Sequence, residues 1–128
     1  MAPSVLDVGF SKLVVGTVQF GLPYGIANRT GQPDLAQVCE ILTCAIDGGA
    51  TTLDTAAGYG ESEEVLGKAL EELGAHSRVT IISKVRPVRY MKQERTEHSV
   101  KEWMRASVRS SLERLGIERL PLCLFHSR

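Results

Sequence analysis

Four polar side chains of different chemical types stand at or just beyond short apolar runs in this sequence. They are a carboxylate, a phenol, an ammonium and an imidazole, supplied by Asp54, Tyr59, Lys84 and His126. A phenol, whose ordinary pKa is about 10, is a poor proton donor at neutral pH until a neighbouring cation stabilises the phenolate. Lys84 can be that cation, and Asp54 can hold the ammonium in place. His126 can donate a hydrogen bond to a substrate oxygen, so the set can polarise and protonate a carbonyl.

Each of these side chains also has a structural explanation. Asp54 could cap the turn that follows it, and Tyr59 could cover the edge of the core. Lys84 could be an exposed charge at a strand end, and His126 could be a frayed terminal residue. Four different groups delivered to one rim are harder to dismiss than any one of them. None of them supplies a hydride, so a redox reaction at this site would need a cofactor.

The elements that must position these groups are predicted from the apolar patterns. Apolar, β-branched runs predict buried strands at 13–15, 51–53, 79–85 and 120–125. Amphipathic stripes between them predict three helices. The first is capped by Asp34 with Gln37, the second begins after Ser62 and the third has a capping box of Ser99 with Glu102. The expected helix ends are Gly48, Gly74 and Gly116, and the stripe of the first helix is Leu35, Val38, Ile41, Leu42, Ala45 and Ile46.

The order of elements, β-α-β-α-β-α-β, predicts an α/β fold with parallel strands and right-handed crossovers. Doubly wound and barrel versions of this fold are alike at this level. In either version, ligands gather at the carboxyl ends of the strands, where the four polar groups stand. The chain ends three residues beyond the last predicted strand, with no helix to cover that strand, so we expect a segment cut from a larger fold.

The composition indicates an ordinary globular protein of 128 residues, with 43% hydrophobic and 23% charged residues. Fifteen basic residues balance fifteen acidic ones, so we expect no nucleic-acid partner. Three cysteines without a CxxC pair favour a reducing, cytoplasmic location. We expect no membrane association, because no long apolar segment occurs. No metal site is expected, because no His or Cys cluster has ligand spacing.

One dense motif resembles a known family, the aldo-keto reductases. The segment runs Leu53-Asp54-Thr55-Ala56-Ala57-Gly58-Tyr59-Gly60-Glu61-Ser62-Glu63 and continues as Val65-Leu66-Gly67. It is similar to the family's DTA..YG.SE..LG signature. Three further anchors agree in order, namely Gly16-Thr17 after the first strand, Ile82-Ser83-Lys84 in the third and Leu124-Phe125-His126 at the fourth.

The resemblance implies a fold and an activity. The fold is the first half, about four β/α units, of a (β/α)8 TIM barrel, because a complete barrel needs about 250 residues. Residues 1–128 would then be a single N-terminal half-barrel. The activity is NADPH-dependent reduction of a small aldehyde or ketone to an alcohol. The family's later strands carry most of the cofactor contacts, so we expect the 128 residues alone to be inactive.

The resemblance also assigns residues by motif. The family's catalytic tetrad maps onto Asp54, Tyr59, Lys84 and His126, with Tyr59 as the general acid. Gly16, Thr17 and Asp54 map onto positions that contact the cofactor. Val18 departs from the pattern, since many members carry an aromatic residue there, and this departure implies an altered substrate wall near the nicotinamide.

Two other readings of the sequence stay open. A noncatalytic half-barrel could serve as an interaction module, pairing the open strand edges with a copy of itself or another chain. A small, complete flavodoxin-like binding domain fits the length but leaves the tetrad spacing as coincidence.

One basic segment of the sequence has no role in any of these functions. Arg86, Arg89, Lys92 and Arg95 surround Tyr90 and could attract a phosphate or an acidic substrate.

Overall fold

The computed structural model describes residues 8–126 and contains a single parallel sheet of four strands in the order β1-β2-β3-β4. The elements in chain order are β1 (Val14–Gly16), α1 (Val18–Gly21), α2 (Leu35–Asp47), β2 (Thr52–Asp54), α3 (Ser62–Glu72), β3 (Thr80–Val85), α4 (Glu97–Leu115) and β4 (Leu122–Phe125). Short 3-10 turns precede β3, at His76–Arg78, and follow it, at Val88–Tyr90. The predicted α/β fold with four parallel strands is confirmed, and the short helix α1 is an element that the sequence patterns did not predict.

Helix α2 forms where its capping box predicts. The side chain of Asp34 accepts from the backbone N–H of Gln37, and the side chain of Gln37 accepts in return from the backbone of Asp34. Val38, Leu42 and Ile46 are buried as expected, but Ile41 is 43% exposed. Ile41 lies one residue before Leu42, about 100° around the helix, so the stripe that faces the sheet is narrower than predicted.

The predicted starts of the next two helices are corrected by the structure. Ser62 is the first residue of α3, follows Glu61 at the N-cap, and is buried rather than capping. The predicted capping box of Ser99 with Glu102 is wrong, because α4 begins earlier and Thr96 is its N-cap, paired with Ser99. Ser99 therefore plays the inner role in the box and not the cap.

The predicted helix ends at Gly74 and Gly116 are confirmed as left-handed. Their φ angles are +57° and +67°, a region that glycine enters without the cost of a Cβ. These turns return the chain toward the sheet after α3 and α4.

The core lies between the helices and one face of the sheet. Burial alternates along β3, where Ile81, Ser83 and Val85 are buried and the residues between them are half-buried. The core cluster joins residues of the three long helices to β2 and β3, and its members are Phe20, Val38, Leu42, Ile46, Leu53, Leu66, Ala69, Leu70, Ala75, Ile81 and Leu115. The other face of the sheet carries the half-buried residues, among them Lys84, and leads to the polar rim.

A buried carboxylate ties α3 to α4 and to β3. Glu63, 1% exposed, accepts from the hydroxyl of Ser83 at 2.6 Å and from the Nε and a terminal guanidinium nitrogen of Arg114 at 2.9 and 2.6 Å. Gly67 lets the helices approach, because a Cβ there would collide with the carbonyl oxygen of Arg114. Glu63 and Gly67, which belong to the motif that begins at Leu53, thus have structural roles and are not part of the predicted catalytic set.

We expect Glu63→Gln to lower the free energy of unfolding by about 3 kcal/mol, because the substitution leaves the guanidinium of Arg114 without its buried counter-charge. Glu64→Gln is the matched control, since the neighbouring Glu64 forms an exposed pair with Lys68 at 2.7 Å. That variant should lose less than about 1 kcal/mol. Urea denaturation of the original chain and of the two variants measures both losses in the free energy of unfolding. Equal losses in the two variants would contradict the buried role of Glu63.

Among residues 8–126, no helix is long and apolar enough to cross a membrane. Within the same range, no group of three or more His, Cys, Asp or Glu side chains is placed to hold a metal ion.

Candidate active site

The ladder of the sheet continues past β2 and brings three strand ends together. The backbone N–H of Thr55 donates to the carbonyl of Ile82, and that of Ala57 donates to the carbonyl of Lys84. Gly16 and Asp54 are partners in the register of β1 and β2. Lys84 is the register partner of Leu124, two residues before His126. The parallel pairing therefore delivers the polar residues to one end of the sheet.

Lys84 and Asp54 form an ion pair at this rim. The ammonium of Lys84 donates to both carboxylate oxygens of Asp54, at 2.7 and 2.8 Å, and to the carbonyl of Thr55 at 3.0 Å. The side chains of Lys84 and Asp54 are 14% and 30% exposed. All three hydrogens of the ammonium thus have acceptors, which fixes the cation in one position.

Tyr59 and His126 stand beside this pair. The ammonium nitrogen of Lys84 lies 4.9 Å from the centroid of the Tyr59 ring. The rings of Tyr59 and His126 meet edge to face, with centroids 5.2 Å apart and planes at 89°. All four residues of the sequence-predicted set are therefore brought together within one group of contacts.

The loop that carries Tyr59 is held by two glycines. A Cβ on Gly21 would collide with the carbonyl oxygen of Tyr59 and the backbone of Ser62, so α1 packs directly against this loop. Gly60 has φ +56° and faces the carbonyl of Gly21, which again leaves no room for a side chain. The pattern Tyr59-Gly60 is visible in the sequence, but the contact with Gly21 depends on α1, which the sequence patterns missed.

A buried cluster of hydroxyls supports the same loop from below. The hydroxyl of Thr17 donates to the carbonyl of Asp54 at 2.9 Å and lies 2.9 Å from the hydroxyl of Ser62. The hydroxyl of Ser62 also donates to the carbonyl of Thr17 at 2.8 Å and lies 3.0 Å from that of Thr55. The three side chains are 0% exposed. Sequence reasoning missed this cluster, whose only signal was the number of hydroxyl residues around the motif.

This geometry bears on the predicted cofactor contacts. The hydroxyl of Thr17 points into the interior and is hydrogen-bonded there, so its side chain supports Asp54. Gly16 lies on the open side, with nothing within 4 Å of the position a Cβ would take. Asp54, its register partner, is partly exposed on the same side. The residues present at Gly16 and Asp54 are therefore compatible with a flat ring approaching the rim.

The surroundings of the His126 imidazole disfavour its charged form. Its Nδ1 is buried and has no hydrogen-bond partner among residues 8–126, and a Cβ on Gly58 would lie 3.0 Å from that atom. Burial, followed by the charges of Lys84 and Arg89, holds the pKa of His126 below its ordinary value of 6.5, while Asp54 opposes this shift. A neutral imidazole near pH 7 can donate one N–H to a ligand without carrying charge.

The titration of His126 tests this arrangement in the 128-residue chain. We expect an NMR titration to give a pKa below 6.5, and Lys84→Met to move the pKa of His126 upward, because a like charge is removed. Since the lowered pKa belongs to the folded state, the free energy of unfolding should fall as pH drops from 6.5 toward that pKa, and be insensitive to His126 above 6.5. Lys68→Met, at an exposed pair on α3, is the control. A pKa of His126 that stays unchanged in Lys84→Met would contradict the influence of the Lys84 charge on the imidazole.

Comparison with known proteins agrees with the fold. The model of the aldo/keto reductase family matches residues 12–128. Aldo-keto reductase YhdN of Bacillus subtilis is 29% identical over 127 residues, covering 96% of this chain and 37% of its own. A Pseudomonas aeruginosa structure described as an aldo-keto reductase superposes with a TM-score of 0.76 at 36% identity, over 94% of this chain and 44% of its own. A Klebsiella pneumoniae aldo-keto reductase in complex with NADPH gives 0.63 at 30% identity, over 90% and 35%.

The parallel four-stranded sheet matches the first half of the (β/α)8 barrels of aldo-keto reductases. The chain belongs to the aldo/keto reductase family. It spans less than half the length of the relatives it matches, 37% of YhdN and 44% of the Pseudomonas chain.

Proposed function

We propose that this chain supplies the catalytic groups for NADPH-dependent reduction of a small aldehyde or ketone to an alcohol. The observation that carries the proposal is the convergence of Asp54, Lys84, Tyr59 and His126, called here the tetrad, on one rim of the sheet. Two Klebsiella pneumoniae relatives form complexes with NADPH and with NADP and acetate, respectively, which supports the choice of cofactor.

In the proposed reaction, the substrate oxygen lies between His126 and Tyr59. The imidazole of His126 donates a hydrogen bond that orients the carbonyl and draws electron density onto its oxygen. The phenol of Tyr59 donates its proton to that oxygen as the carbonyl carbon is reduced, so that the product is the alcohol. The ammonium of Lys84, 4.9 Å from the ring, stabilises the phenolate that remains, and Asp54 holds the ammonium there.

The cofactor, when bound, supplies the hydride that these side chains cannot. Gly16 and Asp54 would lie beside its ring, because Gly16 leaves the rim open and Asp54 is its register partner. Thr17 acts indirectly in this proposal, by holding the carbonyl of Asp54.

The test is a barrel chimera, in which residues 12–128 of this chain replace the matching segment of the Pseudomonas aeruginosa relative. Every tetrad group then comes from this chain, and the rest of the barrel comes from the relative. We expect oxidation of NADPH that depends on an added small aldehyde or ketone, and no such oxidation by the 128-residue chain alone. A folded chimera that binds NADPH but reduces no carbonyl in a broad panel would contradict the proposal.

The three cysteines are consistent with a cytoplasmic protein. Cys39, Cys44 and Cys123 are all free thiols, which fits a reducing compartment and supports the cytoplasmic location we propose.

A second candidate function, an interaction module, is favoured by the strand edges. Leu13, next to β1, is 73% exposed, and Phe125, at the end of β4, is 71% exposed. An outer strand presents unpaired amides and carbonyls, and exposed apolar side chains beside them favour pairing with another chain.

We therefore expect the 128-residue chain to self-associate through these edges at tens of micromolar. Sedimentation velocity should show dimers or larger species, because β1 and β4 each have only one neighbouring strand. Phe125→Lys should shift the distribution toward monomer, whereas Ile41→Lys, at an exposed position of α2, should not. A monodisperse 14 kDa species with cooperative unfolding would contradict the interaction module.

A further inference from the structure

A cavity of about 570 Å³ lies outside the tetrad, between the segment that follows β3 and the N-terminal half of α4. Five side chains line it, and we call it the basic aromatic pocket: Arg86, Tyr90, Lys92, Gln93 and Trp103. Two of these are cations and two are aromatic rings. None of the five has a role in the proposed reduction.

The walls of the pocket are held by specific hydrogen bonds. The indole N–H of Trp103 donates to the carbonyl of Arg86 at 3.0 Å, and the backbone N–H of Arg86 donates to the hydroxyl of Ser107 at 2.8 Å. These bonds join the end of β3 to α4 through the backbone of residue 86. The indole of Trp103 is therefore anchored to the backbone from which the Arg86 side chain extends.

The guanidinium of Arg86 lies near both rings. Its carbon is 6.0 Å from the ring centroid of Tyr90 and 5.9 Å from that of Trp103. The guanidinium of Arg89 lies 5.1 Å from the Tyr90 ring. Tyr90 is nevertheless 53% exposed, so much of its ring surface is open to a ligand.

Within the described residues, no carboxylate forms an ion pair with the two cations that line this pocket. The ion pairs formed within residues 8–126 involve Lys68, Arg78, Lys84, Arg105 and Arg114, and neither Arg86 nor Lys92 is among them. The segment 86–95 contains four basic residues and one acidic residue, Glu94. A pocket that combines such cations with flat apolar walls suits a ligand that combines negative charge with a flat ring.

We propose that the basic aromatic pocket binds a small aromatic anion, a ring that bears a phosphate or a carboxylate. The anionic group pairs with Arg86 and Lys92, and the ring packs against Tyr90 and Trp103. Either half of such a ligand alone is bound more weakly, because the cations are hydrated and the rings are small. This binding does not depend on the reduction that we propose for the tetrad.

Trp103 provides the readout, because it is the only tryptophan of the 128 residues. Titration of the chain with phenyl phosphate is expected to change the tryptophan fluorescence saturably, with half-saturation below about 10 mM. Benzoate should do the same if a carboxylate serves as well as a phosphate. Inorganic phosphate and benzyl alcohol, which carry the charge or the ring alone, should each bind at least about tenfold more weakly.

Two variants and a matched control locate the site. Arg86→Gln keeps the backbone groups that bond Ser107 and Trp103, and it is expected to weaken phenyl phosphate at least about tenfold through the lost charge-assisted hydrogen bonds. Lys92→Gln, at an exposed side chain, should weaken binding less. Arg95→Gln changes the same net charge in the same segment without lining the pocket, and should alter the affinity less than about twofold.

Circular dichroism shows whether each variant folds. If Arg86→Gln does not fold, Lys92→Gln is the variant that tests the pocket. Equal weakening by the pocket variants and Arg95→Gln would overturn the proposal in favour of diffuse charge attraction. The proposal also fails if inorganic phosphate binds as well as phenyl phosphate, or if the fluorescence change never saturates.

Discussion

Replacing Tyr59 by phenylalanine in the barrel chimera is expected to lower turnover about a hundredfold to ten-thousandfold. The phenol acts only as the proton moves, so the affinity for NADPH should be nearly unchanged. Tyr90→Phe is the matched control, because Tyr90 lies in the basic aromatic pocket, outside the tetrad. The measurement is carbonyl-dependent NADPH oxidation, with NADPH binding followed separately by nicotinamide fluorescence. A Tyr59→Phe chimera that keeps more than about half of its turnover would remove Tyr59 from the mechanism.

Lys84→Met is expected to have the next largest effect, a loss of about a hundredfold in turnover. The substitution removes the cation beside the Tyr59 ring and leaves the carboxylate of Asp54 without its partner. Asp54→Asn should act in the same direction but more mildly, since the ammonium stays and keeps its bond to the carbonyl of Thr55. The turnover rates of the parent chimera, its Lys84→Met variant and its Asp54→Asn variant at saturating NADPH show which substitution has the larger effect. Lys101→Met, an exposed change on α4, should be neutral.

The opposite order, with Asp54→Asn slower than Lys84→Met, would mean that the carboxylate and not the ammonium is the main electrostatic group. That result would not affect the family or the fold. It would assign the main electrostatic role in the tetrad to Asp54 and not to Lys84.

Much of the rim could be predicted from the sequence, for a reason rooted in parallel pairing. Asp54 ends an apolar run and His126 follows another, and parallel strands bring such ends to one edge whatever the remaining details. Lys84 lies in a run that alternates between buried and half-buried residues, so its ammonium reaches the open face. Residue type and position along a strand are sufficient for this inference, because both are local properties of the chain.

What the sequence could not reveal depends on contacts between distant residues. Thr17 and Ser62 are 45 positions apart, and their hydroxyls meet only when β1 and α3 are in place. Ser62 is accordingly a buried support for the rim, although its pattern with the acids that follow it is typical of a helix cap. Whether a serine caps or is buried is settled by packing, which a local pattern does not contain.

The start of α4 shows a different limit. Thr96 and Ser99 form the capping box, yet Ser99 with Glu102 fits the usual pattern of a hydroxyl followed by a glutamate three residues later. The sequence therefore allows two overlapping capping boxes, Thr96 with Ser99 and Ser99 with Glu102. The structure contains the first, which begins the helix about one turn earlier. The additional turn extends α4 on the N-terminal side of Trp103, the residue of this helix that lines the basic aromatic pocket.

The most direct test of the proposed reduction follows the hydride itself. The barrel chimera is incubated with a small aldehyde and NADPH that carries two deuterium atoms at C4 of the nicotinamide, and the alcohol is analysed by mass spectrometry. We predict one deuterium at the former carbonyl carbon of the alcohol, formed at a rate that Tyr59→Phe lowers about a hundredfold or more. A folded, NADPH-binding chimera that forms no deuterated alcohol, or one whose rate of forming it is unchanged by Tyr59→Phe, would contradict the account.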